Sequence, residues 1–181
     1  MKILVTGGYG LIGHNVVQRL MAKGHTTSIV DNKTNYGIIP QAEVDYLMTE
    51  RAKKIKDHPC YGTDICNADP IDYVVRINKP NVIVHMASFP RQKVVNVNPC
   101  EGSQTMIEGL LSLLEASVKH NVRKFVYVSS SMVYGDFELY GYEDMRCTPK
   151  GIYGILKFAG ESLTKDHCER TKMDYVILRP S

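Results

Sequence analysis

Tyr153 and Lys157 stand four positions apart in the run Tyr-Gly-Ile-Leu-Lys. On a helix that spacing sets both side chains on one face, so a phenol and an ammonium enter the same space. A free tyrosine gives up its proton near pH 10. A neighbouring lysine cation favours the phenolate and makes the phenol a usable base near neutrality. Upstream stands a serine triplet, Ser129, Ser130 and Ser131, whose hydroxyls can hydrogen-bond the oxygen that the phenol deprotonates.

A second group of residues lies at the start of the chain, in MKILVTGGYGLIG, where Gly7, Gly10 and Gly13 are spaced three apart. They follow an apolar run, Ile3 to Val5, that suits a strand buried on both faces, and they open a helical pattern from Leu11 to Lys23. Glycines at such a junction allow a tight turn, a close approach of backbone to a pyrophosphate, and close packing of helix on strand. The unpaired N–H groups of the first helical turn, around Leu11 and Ile12, then face the phosphates. Asp31 ends the next strand, Thr26 to Val30, at about the twenty-residue distance expected for an acid that takes the ribose hydroxyls. Together these features point to dinucleotide binding.

Such residues need a sheet whose strands all end on one side, and strand-like and helix-like stretches do alternate along the chain. After the polar loop Asn32 to Pro40, the pattern predicts a helix over 41–56, a strand over 58–63 and a helix over 68–78. A buried strand, NVIVHM, follows at 81–86, then a long helix over 103–120 and a second buried strand, KFVYVS, at 124–129. A helix over 153–171 and a strand over 174–178 close the order. The fold class is α/β: a Rossmann-type, doubly wound parallel sheet with helices on both faces, forming one dinucleotide-binding domain over 1–181. The long helix carries Met106, Ile107, Leu110, Leu111, Leu113 and Leu114, more apolar surface than one stripe on a sheet needs. Either a neighbouring helix or a partner subunit covers the rest, and a homodimer is the expectation.

The composition is that of a globular protein, with 44% apolar and 23% charged residues and a net charge of +3. Mixed charges imply neither a nucleic-acid surface nor a membrane one. The basic stretch Arg51, Lys53, Lys54 and Lys56 reads as a solvated helix face. Met1 and Lys2 lead straight into a core strand, so a leader is not expected, and no apolar run has membrane-spanning length. Five cysteines without CxxC spacing suit reduced thiols in the cytoplasm. Six histidines without HExxH or paired spacing predict no metal.

The motifs in their order resemble those of the extended short-chain dehydrogenases/reductases of the NAD-dependent sugar-nucleotide epimerase/dehydratase type. The likeness is greatest to UDP-glucose 4-epimerase-like members. It rests on TGGYGLIG, VDN at 30–32, Asp64-Ile65, VIVHMAS at 82–88, VSSSMVYG at 128–135, YGILK at 153–157 and LRPS at 178–181. The resemblance implies that Asp31 takes the adenosine ribose of NAD and repels an NADP phosphate, with Asn32 beside it. It implies that Asp64 and Ile65 flank the adenine and that Ala87 lines the cofactor groove. The catalytic serine would be Ser130, the base Tyr153, and Lys157 would hold the nicotinamide ribose and tune Tyr153. The implied reaction is epimerisation of a nucleotide-sugar, a UDP-hexose at C4, by transient oxidation. A reductase or dehydrogenase of the same family and a non-catalytic NAD-binding module are the alternatives.

The sequence departs from the resembled pattern in three ways. Dehydratases of the family carry Asp and Glu after the catalytic residue to eliminate water, where this sequence has Ser131 and Met132. Met106 replaces an asparagine usual in the long helix. The sequence ends at Ser181, where family members continue into segments that build the sugar pocket, so most of that pocket is expected outside these residues.

Overall fold

The computed structural model describes residues 1–37, 39–55, 58–89, 91–136 and 141–181. Six strands form one parallel sheet: β1 (Lys2–Thr6), β2 (Thr26–Val30), β3 (Cys60–Tyr61), β4 (Val82–His85), β5 (Lys124–Val128) and β6 (Asp174–Leu178). Their order across the sheet is β3-β2-β1-β4-β5-β6. The helices are α1 (Leu11–Ala22), α2 (Gln41–Lys54), α3 (Ala68–Asn78), α4 (Gln92–Val97), α5 (Pro99–Ser103), α6 (Gly109–Lys119) and α7 (Gly151–Thr171). This is the predicted Rossmann arrangement.

Strand alternation divides the core in two. Leu4, Ile83 and Phe125 face one side, where Ile71 and Val75 of α3, Leu110 and Leu113 of α6 and Cys168 of α7 cover them. Ile3, Val5 and Ile29 face the other side, against Val17 of α1 and Ile55 after α2. That second layer thins toward β6, where Val176 and Leu178 remain 38% and 48% exposed. No helix among the described residues is long and apolar enough to cross a membrane.

The predicted boundaries shift in three places. Strand β3 is cut to two residues because only Cys60 and Tyr61 register with β2, between Pro59 and Gly62. Helix α2 ends at Lys54, and Lys56 lies outside the described residues. The predicted long helix is three pieces: α5, a π turn at Gln104–Glu108, and α6. The turn leaves Thr105 on the wall of the central cleft while Met106 is buried against Phe89 and Val95. Helices α3 and α7 of the same chain flank α6 and bury Leu110, Leu113 and Leu114 completely.

Candidate active site

The strand order reverses between β1 and β4, and a cleft of about 620 Å³ opens at the carboxyl ends of these strands. At its middle lies the glycine turn. Gly7 has a φ of +72°, and a side chain there would sit 2.8 Å from the Ala87 nitrogen. A Cβ on Gly13 would lie 2.0 Å from the Gly7 carbonyl oxygen, so only glycine lets α1 start this close to the strand. The Gly10 N–H donates to the Gly7 carbonyl at 3.0 Å, closing the turn. Helix α1 begins at Leu11 with no carboxylate in its first turn. The N–H groups of Leu11, Ile12 and Gly13 have no acceptor within the helix and present a positive end to the cleft. Arg51 is not the solvated residue its basic stretch predicts, since it donates to the Tyr9 carbonyl at 2.8 Å and braces this turn.

At one end of the cleft stands Asp31. Its two carboxylate oxygens accept from the backbone N–H groups of Tyr9 and Lys33, each at 2.8 Å, which fixes the group while leaving lone pairs for a ligand hydroxyl. Asn32 donates to Asp64 at 2.7 Å, and Asp64 also accepts from the Cys66 N–H at 2.8 Å. Burial alone would raise the Asp64 carboxyl, but the hydrogen bonds from Cys66 and Asn32 outweigh it and hold the group below its usual value. Ile65 is core more than wall: it is 4% exposed and packs against Gly109, with one edge on the cleft.

At the other end lie Ser130, Tyr153 and Lys157, together with Ala87 and Ser88 on the cleft wall. Ser130 caps the short 3-10 turn Ser131–Tyr134, its hydroxyl accepting from the Met132 N–H at 3.2 Å. Burial pushes the Tyr153 phenol above its usual value, and the Ser130 hydroxyl draws it back in part. Lys157 is buried, and its ammonium donates to the Val128 carbonyl at 2.8 Å, 5.9 Å from the centre of the Tyr153 ring. Burial lowers the ammonium to about 8, against a pull upward from Glu161. The depression of Tyr153 expected from Lys157 therefore does not arise from these side chains alone, because the ammonium is aimed at the strand rather than at the phenol.

A dinucleotide fits these residues. The glycine turn offers backbone donors at mid-cleft, and the Asp31 carboxylate at one end keeps acceptor capacity that ligand hydroxyls could use. At the other end the Ser129 hydroxyl, buried on the cleft wall, has no partner among the described residues.

Two supporting pairs are invisible in the motif pattern. His85 is wholly buried, and its Nδ1 accepts from the Thr6 hydroxyl at 2.8 Å. The Thr6 oxygen in turn accepts from the N–H groups of Met86 and Ala87 at 3.2 and 3.1 Å, pinning the Ala87 wall to the glycine turn. A lone histidine in the apolar run NVIVHM was the available sequence signal. Glu161 and Arg179 form the second pair, at 2.7 Å. Glu161 continues the Tyr153–Lys157 helix face by one more turn, a spacing that was also readable.

The arrangement defines a Rossmann dinucleotide-binding domain with a serine, a phenol and an ammonium gathered at one end of its cleft. Comparison narrows the class: residues 3–181 match the NAD dependent epimerase/dehydratase family, and the chain belongs to that family. It is 32% identical over 168 residues to a UDP-glucose 4-epimerase of Dictyostelium discoideum, covering 92% of this chain and 47% of the relative. Among solved structures, the Thermus thermophilus UDP-glucose 4-epimerase in complex with NAD superposes with a TM-score of 0.84 at 26% identity, over 99% of this chain and 54% of that one. A Bacillus cereus UDP-glucuronic acid 4-epimerase in complex with UDP-glucuronic acid and NAD gives 0.87 at 27% identity, over 99% and 56%. The chain thus spans about half the length of the relatives it matches.

Proposed function

We propose that this chain is the cofactor-binding part of an NAD-dependent nucleotide-sugar epimerase that inverts a UDP-hexose at C4. The observation that carries the reading is the convergence of Ser130, Tyr153 and Lys157 on one end of a cleft whose other end is Asp31. Bound NAD would supply the hydride acceptor and return the hydride to the opposite face of the sugar. Tyr153 Oη takes the proton of the sugar hydroxyl and gives it back after the ketone has turned over. Ser130 holds the same sugar oxygen by hydrogen bond. Lys157, an ammonium at neutral pH, supplies positive charge beside the nicotinamide ribose. Ser131 and Met132, the two residues after Ser130, bring no carboxylate, which favours epimerisation over elimination of water.

The same reading includes a cytoplasmic homodimer. Ile152, Ile155 and Phe158 on α7 and Val118 on α6 are exposed apolar residues that a second copy would cover, and the cysteines are free thiols. A sedimentation experiment that finds only monomer at micromolar concentration removes the dimer from the proposal.

The test of the cofactor assignment is calorimetric titration of the chain with NAD and, separately, with NADP. NAD is expected to bind, and NADP at least ~10-fold more weakly, since Asp31 repels its phosphate. Asp31→Ala should weaken NAD by ~10–100-fold, the worth of hydrogen bonds to a charged group, and abolish the discrimination. Absence of NAD binding to the unaltered chain overturns the reading.

A further inference from the structure

Ser130 and Tyr153 line the same end of the cleft from different elements, so the approach of the serine hydroxyl to the phenol depends on how the serine turn is registered against α7. Two backbone bonds fix the turn to the end of β6: the Ser129 N–H donates to the Leu178 carbonyl at 2.7 Å and the Ser131 N–H to the Pro180 carbonyl at 2.9 Å. Arg179 lies between those two acceptors. Its Nε and Nη2 donate to the two carboxylate oxygens of Glu161 at 2.9 and 2.7 Å, a bidentate pair with the glutamate side chain 5% exposed. Its Nη1 donates to the Tyr134 hydroxyl and to the Glu143 carbonyl, each at 3.0 Å. Tyr134 is the far end of the turn that Ser130 caps. Glu161 follows Tyr153 and Lys157 on the same helix face.

From this geometry we infer that Arg179 is a positioning residue for the site: one guanidinium joins the serine turn to the helix face carrying Tyr153 and Lys157, and so sets the Ser130–Tyr153 contact. The planar fork is what makes the joint. It reaches a carboxylate on α7 and a phenol on the serine turn at once, which a lysine point charge cannot do in the same geometry. Folding does not rest on the joint alone. Helix α7 also closes on β5 at Gly160, where a Cβ would meet the Tyr127 hydroxyl at 2.2 Å, and on the serine turn at Gly154, 2.8 Å from the Met132 carbonyl. Loss of the fork therefore leaves the helix in place on β5 and the turn held to it by the Gly154 contact, free to shift about that contact.

The inference rests on the Ser130–Tyr153 pairing of the proposed function, and the test separates the two. Tyrosine labelled with 13C at Cζ gives one NMR line per phenol, and Tyr153→Phe assigns the line of interest at pH 8. The groups around that phenol are Ser130 from the turn, Lys157 on its own helix and Tyr127 on β5. Ser130→Ala is expected to displace the Tyr153 line. Arg179→Lys should displace it in the same direction by roughly half as much or more, because a hydrogen bond depends steeply on geometry. The Tyr61 line, on the far edge of the sheet, should stay. If Ser130→Ala displaces the line and Arg179→Lys moves only that of Tyr134, Arg179 holds its own neighbours and the inference falls alone. If Ser130→Ala leaves the line unmoved, the pairing is absent and the inference falls with the site reading. Should Arg179→Lys not fold, Glu161→Gln frees the same fork and is held to the same criterion.

Discussion

Tyr153 is the base of the proposed reaction, and its surroundings set what that role would require. The phenol is pushed above its usual value by burial, so proton removal must be driven by charge gathered around it when substrate and cofactor are present. Tyr153→Phe deletes the proposed proton acceptor while keeping the ring that packs beside Phe89 and Met106. Under the proposed function, turnover of UDP-hexose by the protein carrying this domain is expected to fall ~10²–10⁴-fold, the usual share of general acid–base catalysis. NAD affinity measured by calorimetry should stay within ~2-fold, because in the proposed function the cofactor is held at the glycine turn and at Asp31 and the phenol contributes little. Full turnover in the variant would remove Tyr153 from the mechanism. At this scale the sequence was most legible where spacing alone carries geometry. Tyr153 and Lys157 share a helix face by arithmetic, and Asp31 follows the glycine turn at a distance set by one strand–helix–strand unit. Arg179 and Glu161 were not legible as a pair, because only the fold sets the end of β6 beside α7.

Elements decide how firmly those residues are held. The glycine turn and the Ala87 wall come from strands about eighty residues apart in sequence, and Thr6 is the tie between them. Its oxygen accepts two backbone N–H groups and its proton goes to His85 Nδ1, so every capacity of the hydroxyl is used. Thr6→Val keeps the volume but leaves His85 Nδ1 and the Ala87 N–H without the hydroxyl, while the Met86 N–H keeps the residue-6 carbonyl. A loss of ~1–3 kcal/mol in urea unfolding is expected, with weaker NAD binding as the Ala87 wall loosens. An unchanged unfolding midpoint would mean that other contacts fix the β4 end. Strands β1, β2, β4, β5 and β6 were readable because each is a short apolar run between turn residues. The broken helix was not. Its apolar positions keep a helical rhythm through Met106, Leu110 and Leu113, and the pattern carries no mark of the π turn between them. Strand β3 was predicted too long for the converse reason, since an edge strand is delimited by the partner it pairs with and not by its own sequence.

At the scale of the whole molecule the parallel sheet is buried at its centre, and His85 is the titratable group there. Burial, helped by the Lys157 charge, lowers the imidazole to about 3. The hydrogen bonds give the chemical reason: Nδ1 is occupied as an acceptor from Thr6, whose oxygen already serves two N–H donors and cannot accept a third from a protonated ring. The unfolded chain takes a proton at this histidine near pH 6.5, whereas the folded chain refuses it until about pH 3. Between those values the unfolded state binds more protons, so stability falls as the pH falls, by at most about 1.4 kcal/mol per pH unit from this group. Above about pH 6.5 the group contributes no slope. Going from pH 7 to pH 5 should therefore cost ~2 kcal/mol in urea unfolding. His85→Asn, whose amide oxygen can still accept from Thr6, should lose most of that slope. The Asp64 carboxylate, held below its usual value, adds its own loss only below about pH 4, outside this interval. If the variant and the unaltered protein fall in parallel from pH 7 to 5, His85 takes up its proton in the folded state and the buried acceptor role assigned to its Nδ1 is wrong.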